Sequence, residues 1–183
     1  LCRRAGANIA EMSVPMNPVS LVQSAMIDYF TGDVRRINHF LKVYGFAKAI
    51  GELEGLESHS QFILEIAALT HDIGIRNSER KYNSSSGEHQ QVEGPPEAKK
   101  LLESLGILPG VIERVCWLIA HHHTYQGILN ADYQILVEAD FLVNIEEDGL
   151  SLPAIMQIEE QIFKTHTGLQ FLRRLYLPAG DNN

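Results

Sequence analysis

The chain has 183 residues, enough for one domain that buries its own core, and a formal net charge of −8. Hydrophobic residues at 45% and charged residues at 21% are ordinary values for a globular protein. The negative charge argues against broad nucleic-acid binding through a basic surface, though not against a phosphate-bearing substrate, because bound metal ions reverse the local sign.

The two cysteines, Cys2 and Cys116, do not make a disulfide framework, so a reducing, cytoplasmic setting is expected. The opening stretch "LCRRAGANIAEMSVPM" holds two arginines but no continuous apolar run, and does not read as a secretory signal. No segment approaches the ~20 apolar residues of a membrane span.

Read in chain order, the sequence predicts helix almost throughout. "NPVSLVQSAMIDYF" offers Asn17 as an N-cap and Pro18 at the first helical position, with Leu21, Val22, Ala25, Met26 and Tyr29 at helical spacing. The second helix, "DVRRINHFLKVYGFAKAIGELEGL", is capped by Asp33, carries Phe40, Val43, Ala47 and Ile50 as its apolar stripe, and stops at Gly55. The third, "SHSQFILEIAALTHDIG", has capping-box spacing at Ser58 and Gln61 and a left-handed stop at Gly74.

The pattern then breaks. "RNSERKYNSSSGEHQQVEG" is polar and aperiodic, and reads as a long functional loop. Helices resume on proline with "PPEAKKLLESLG" and "PGVIERVCWLIAHHH". "ADYQILVEADFLVNIEE" follows; Ile135 to Val137 would suit a buried strand, but the length favours helix. "PAIMQIEEQIFKTHTGLQFLRRLYL" closes the chain as one helix or two. The expected fold is all-α, a compact helical bundle over residues 17–177, with loose termini at 1–16 and 178–183.

Four ionisable residues fall on apolar helix faces. His39 lies one turn before Val43 and two before Ala47; His71 follows Leu64 and Ala67, with Asp72 beside it; Asp140 follows Leu136 by one turn. Burying such groups is costly unless they are paired or bind metal. A lone inward histidine is usually a hydrogen-bonded core residue. Two histidines and two aspartates from three helices, however, make an N/O donor set suited to Zn, Fe, Mn and similar divalent ions.

The segments "NHFLKVYGFAKAIGELEGL", "LEIAALTHDIG" and "LVEADFLVNI" resemble the signature segments of the HD-domain superfamily of metal-dependent phosphohydrolases, whose pattern is H…HD…D. His39, His71, Asp72 and Asp140 match it in order, over about Val34 to Glu147. The resemblance implies one or two divalent metals per chain (Fe, Mn, Zn, Co, Ni or Mg). It also implies two further histidines for the second of them. His89, before Gly94, is one candidate. The triple histidine His121–His123 supplies the other. His122 lies three after Ile119 and four after Leu118, which centres it on the apolar face, with His123 in reserve.

The resemblance further implies hydrolysis of a phosphate ester or anhydride, a nucleotide first among small-molecule substrates, by a metal-activated hydroxide, with Asp72 bridging the two metals. Asp72 and His71 would be catalytic. Arg36 and Arg76 are the first choices for cationic contact with the phosphoryl group, with Arg35, Arg80 and Lys81 as further candidates. A mixed-valent di-iron oxygenase on the same scaffold and a non-catalytic signalling module are the alternatives. No membrane partner is expected, and the state of assembly is open to a homodimer.

Overall fold

The computed structural model describes residues 16–177, and they form nine helices: α1 (Pro18–Tyr29), α2 (Val34–Leu53), α3 (Ser58–Thr70), α4 (Ile75–Tyr82), α5 (Gly87–Ser104), α6 (Pro109–His121), α7 (Ala131–Glu147), α8 (Leu152–Gln161) and α9 (His166–Tyr176). The all-α expectation holds, and Ile135 to Val137 lie within a helix. Of the loose ends expected at 1–16 and 178–183, residues 1–15 and 178–183, and with them Cys2, lie outside the described residues. No helix among the described residues is long and apolar enough to cross a membrane. Cys116 is a free thiol.

The centre of the bundle is α3. Its residues from Ile63 to Thr70 are buried without a break, so it is enclosed on all sides, as a helix without a polar face must be. It packs against α1, α2, α6 and α7, while α2 also packs along α7 and α5 along α6. The expected stripe of Phe40, Val43, Ala47 and Ile50 is the buried face of α2. Val111, Val115, Leu118 and Ile119 are the buried face of α6. Ordinary capping sets several ends: Asn17 accepts from the Val19 amide and Asp33 from the Arg36 amide, and Gly55 and Gly106 take positive φ after α2 and α5.

Several boundaries differ from the sequence reading. The α3 cap is Glu57, which accepts from the His59 and Ser60 amides, so Ser58 is the first helical residue and not the cap. Gly74 has φ −69° and is not a left-handed stop. A Cβ there would sit 2.6 Å from the Gly94 nitrogen and 2.8 Å from the Gln90 carbonyl oxygen, so glycine is needed for backbone-to-backbone approach.

The expected loop between 76 and 94 falls instead in two helices. Helix α4 buries only Ile75 and Ser78, too little to leave an apolar period. It is held instead by polar contacts: the Lys81 ammonium lies 2.6 Å from Glu93, Tyr82 donates to Glu93 at 3.0 Å, and Asn77 donates to Glu97 at 3.2 Å. Helix α5 begins at Gly87, two turns before the prolines expected to open it. Pro95 and Pro96 lie inside it, and the Pro95 carbonyl accepts from the Cys116 thiol. The closing segment is two helices. Glu138, fully buried on α7, accepts from the Lys164 and Thr165 amides at the turn between them.

Candidate metal centre

The His–Asp pair stands where α3 stops. His71 is the C-terminal cap, fully buried, and Asp72 follows in the turn that leads to α4. His39 reaches the same place from α2, Asp140 from α7, and His122 from the end of α6. His39 Nε2 lies 3.2 Å from His71 Nε2 and 3.2 Å from Asp140 Oδ1. Asp72 Oδ2 is 3.5 Å from His39 Nε2 and 3.6 Å from His71 Nε2, while Asp72 Oδ1 is 3.5 Å from His122 Nε2.

Hydrogen bonds fix which nitrogens face inward. His71 Nδ1 lies 2.9 Å from the Ala68 carbonyl and His122 Nδ1 lies 2.7 Å from the Ile119 carbonyl. A carbonyl cannot donate, so each Nδ1 carries the proton, and in the neutral ring Nε2 presents a lone pair. His39 Nδ1 is 3.0 Å from Glu147 Oε2, which has the same effect.

The donors fall into two groups, each with its candidate ligand atoms within 4.8 Å of one another: His39, His71 and Asp140, and Asp72, His122 and His123. Asp140 Oδ1, His122 Nε2 and His123 Nε2 are buried without a hydrogen-bond partner. Buried polar atoms are rarely left so, and nitrogen lone pairs converging with carboxylate oxygens are the donor set a divalent cation satisfies. The residues present fit such an ion.

Charge explains the protonation states. Burial disfavours a charged His39, but the Asp140 carboxylate 3.2 Å from its Nε2 and the nearby Asp72 outweigh that, and its pKa is raised to about 9. His71 is also raised, against its burial, by Asp72 and Asp140. Burial opposes ionisation of Asp72 and Asp140, yet the surrounding histidines hold both carboxyls below the usual range. His123 goes the other way, lowered to about 4 by burial and by His122. Without a metal, a proton on His39 takes part of the cation's place among the carboxylates.

His89 belongs to neither donor group. Because α5 starts at Gly87, His89 falls in its first turn, with Gln90, Glu93 and Gly94 turned inward and His89 on the flank. Its ring stacks on Tyr82 at 4.1 Å and its Nδ1 lies 3.1 Å from Ser86 Oγ. His123 stands in the second group instead. Gly87 permits this, since a Cβ there would meet the His123 ring at 2.7 Å. Of the triple histidine, His121 is turned away, stacked on Trp117 at 4.1 Å.

A cleft of about 250 Å³ opens beside the cluster, lined by Arg35, Arg36, His39, Asp72, Gln90 and Glu147 among others. Arg36 is already engaged, 2.8 Å from Asp33 and 2.5 Å from Glu79. Arg76 is not in this cleft. Ile75 and Ser78 face inward on α4, so Arg76 points outward, donates to the Tyr29 carbonyl and lies 5.3 Å over the Tyr29 ring. Arg80 also lies outside, beside Arg36 and Glu79 in a shallow depression.

The residues carrying this arrangement match a known family. The HD domain family model matches residues 36–162. The chain belongs to the HD domain family. Its structure is similar to the crystal structure of a predicted HD superfamily hydrolase from an uncultured Thermotogales bacterium, with a TM-score of 0.61 and 23% identity, over 88% of this chain and 92% of that one. Comparison with curated proteins gives no match. His39, His71, Asp72 and Asp140 all lie within the matched residues, and the fold brings the four together. Glu147 was not visible as a site residue in the sequence. Its signal was its spacing, seven residues after Asp140 and so two turns along the same face of α7.

Proposed function

We propose that the chain is a metal-dependent phosphohydrolase, cleaving a phosphate ester or anhydride of a small molecule such as a nucleotide. The observation that carries this reading is the position of Asp72. Its two oxygens face the two donor groups separately, the arrangement a carboxylate needs to bridge a metal pair. Divalent metals held there supply Lewis acidity, which lowers the pKa of water and offsets phosphoryl charge. The similarity to a predicted HD superfamily hydrolase supports the same reading.

The chain's own residues do the rest. His39, His71 and Asp140 would hold one ion; Asp72, His122 and His123 the other. The Ala68 and Ile119 carbonyls and Glu147 keep the three Nε2 atoms turned inward. Arg35, exposed at the wall of the cleft, is available to a phosphate oxygen; Arg36 reaches the same cleft but would first have to give up Asp33 or Glu79. Hydrolysis breaks the bond between phosphorus and the leaving oxygen, and water supplies the new oxygen.

The test is phosphate release from nucleoside phosphates and simple phosphate monoesters, with and without Mn²⁺ or Co²⁺. Metal-dependent release, lost in Asp72→Ala, is expected. No release from any ester by fully loaded protein contradicts the reading, and oxygen uptake by a two-iron form would favour oxidative chemistry instead.

A further inference from the structure

The geometry points to Glu147 as the residue that positions His39 for metal binding. This rests on the reading of the cluster as a metal centre. The three histidines solve one problem in two ways. His71 and His122 cap the ends of α3 and α6, and each bonds through Nδ1 to a backbone carbonyl three residues back. His39 lies inside the long helix α2, where the preceding carbonyls are engaged in the helix itself. It therefore needs an acceptor from elsewhere, and Glu147 Oε2 supplies it at 3.0 Å.

The acceptor is itself fixed. Glu147 Oε1 lies 2.9 Å from the Lys42 ammonium, and Lys42 is one turn after His39 on α2. The side chain of Glu147 is 14% exposed, against 66% for its neighbour Glu146, which also meets Lys42, at 3.2 Å. His39 is thus gripped by two carboxylates of α7, Asp140 at Nε2 and Glu147 at Nδ1. A carboxylate on the far nitrogen fixes the tautomer and makes the imidazole a more basic ligand. Its loss costs about 10–100-fold in metal affinity.

The experiment compares Mn²⁺ binding to the full chain by equilibrium dialysis in the wild type, Glu147→Ala, Glu147→Gln and Glu146→Ala. Glu147→Ala is expected to bind about 10–100-fold more weakly, and Glu147→Gln less weakly than that, because the amide oxygen still accepts but carries no charge. Glu146→Ala, which removes an exposed ion pair only, should stay within about twofold. Nitrogen-15 chemical shifts of His39 in metal-free protein, above about pH 9 where the ring is neutral, give a second readout. A proton held on Nδ1 in the wild type and redistributed between the ring nitrogens in Glu147→Ala is expected.

Equal binding by wild type and Glu147→Ala, or equal losses in Glu146→Ala and Glu147→Ala, overturns the inference alone. A wild type that binds no Mn²⁺, Co²⁺ or Zn²⁺ overturns the metal-centre reading with it. If Glu147→Ala does not fold, the near-isosteric Glu147→Gln decides: wild-type Mn²⁺ affinity overturns the inference, and a weakened affinity supports it.

Discussion

Asp72 Oδ1 stands 3.5 Å from His122 Nε2, a buried nitrogen with no hydrogen-bond partner among the described residues. The contact joins the end of α3 to the end of α6, and it assigns one member of the triple histidine to the centre. It also sorts the other histidines. His122→Ala and His123→Ala should each empty one metal position, while His121→Ala and His89→Ala should leave the metal count unchanged. Metal content per chain after dialysis into chelator-free buffer checks this. A loss in His89→Ala equal to that in His123→Ala would contradict the placement of α5.

The carboxylate that faces both groups should matter most to catalysis. Asp72→Asn keeps the size of the side chain and removes its charge. Phosphate release in the metal-loaded variant is expected to fall by at least about 10²-fold, the scale of losing one preorganised electrostatic stabiliser. Arg36→Ala should raise KM more than it lowers kcat, because it removes a cation from the cleft wall and not from the donor groups. Arg76→Ala should leave both nearly unchanged.

Stability without metal should depend on pH in a defined direction. His39 is raised from 6.5 to about 9, so its contribution is fully present below 6.5 and is lost as pH rises through about 9. Asp72 and Asp140 are lowered, so their contribution is present above the ordinary carboxylate value of 3.8 and is lost as pH falls through their depressed folded values. In chelator, Tm should therefore fall as pH rises from 6.5 to 9. A metal held by His39 would take the place of that proton, so the gap in Tm between metal-loaded and metal-free protein should widen over the same window. A gap that does not change between pH 6.5 and 9 would contradict this account of His39.

Much of this was legible in the sequence, for identifiable reasons. Helices α1, α2, α3, α6 and α7 bury apolar stripes, and stripes leave a period. His39, His71, Asp72 and Asp140 were conspicuous because they interrupt those stripes. Helix α4 and the first two turns of α5 were not, because they are held by Glu93, Glu97 and a glycine contact, none of which has a period. The place of His89 is hidden for the same reason: it lies in the aperiodic first turn of α5, ahead of Pro95. Glu147 was hidden because it acts on a ligand and not as one.

The glycine contact itself can be tested. A methyl at residue 74 would press on the Gly94 nitrogen, which is backbone and cannot swing away. Gly74→Ala should destabilise by about 1–3 kcal/mol, the range for overpacking a close contact. Urea unfolding measures it. Unchanged stability would contradict the close approach of Gly74 to Gly94.

The central claim is a pair of metal positions flanking one carboxylate. Anomalous diffraction from crystals grown with Mn²⁺ tests it most directly. Two peaks about 3.5–4 Å apart are expected, with Asp72 between them. His39, His71 and Asp140 should surround one peak, and His122 and His123 the other. A single peak held by His89, or no peak within reach of Asp72, would contradict it.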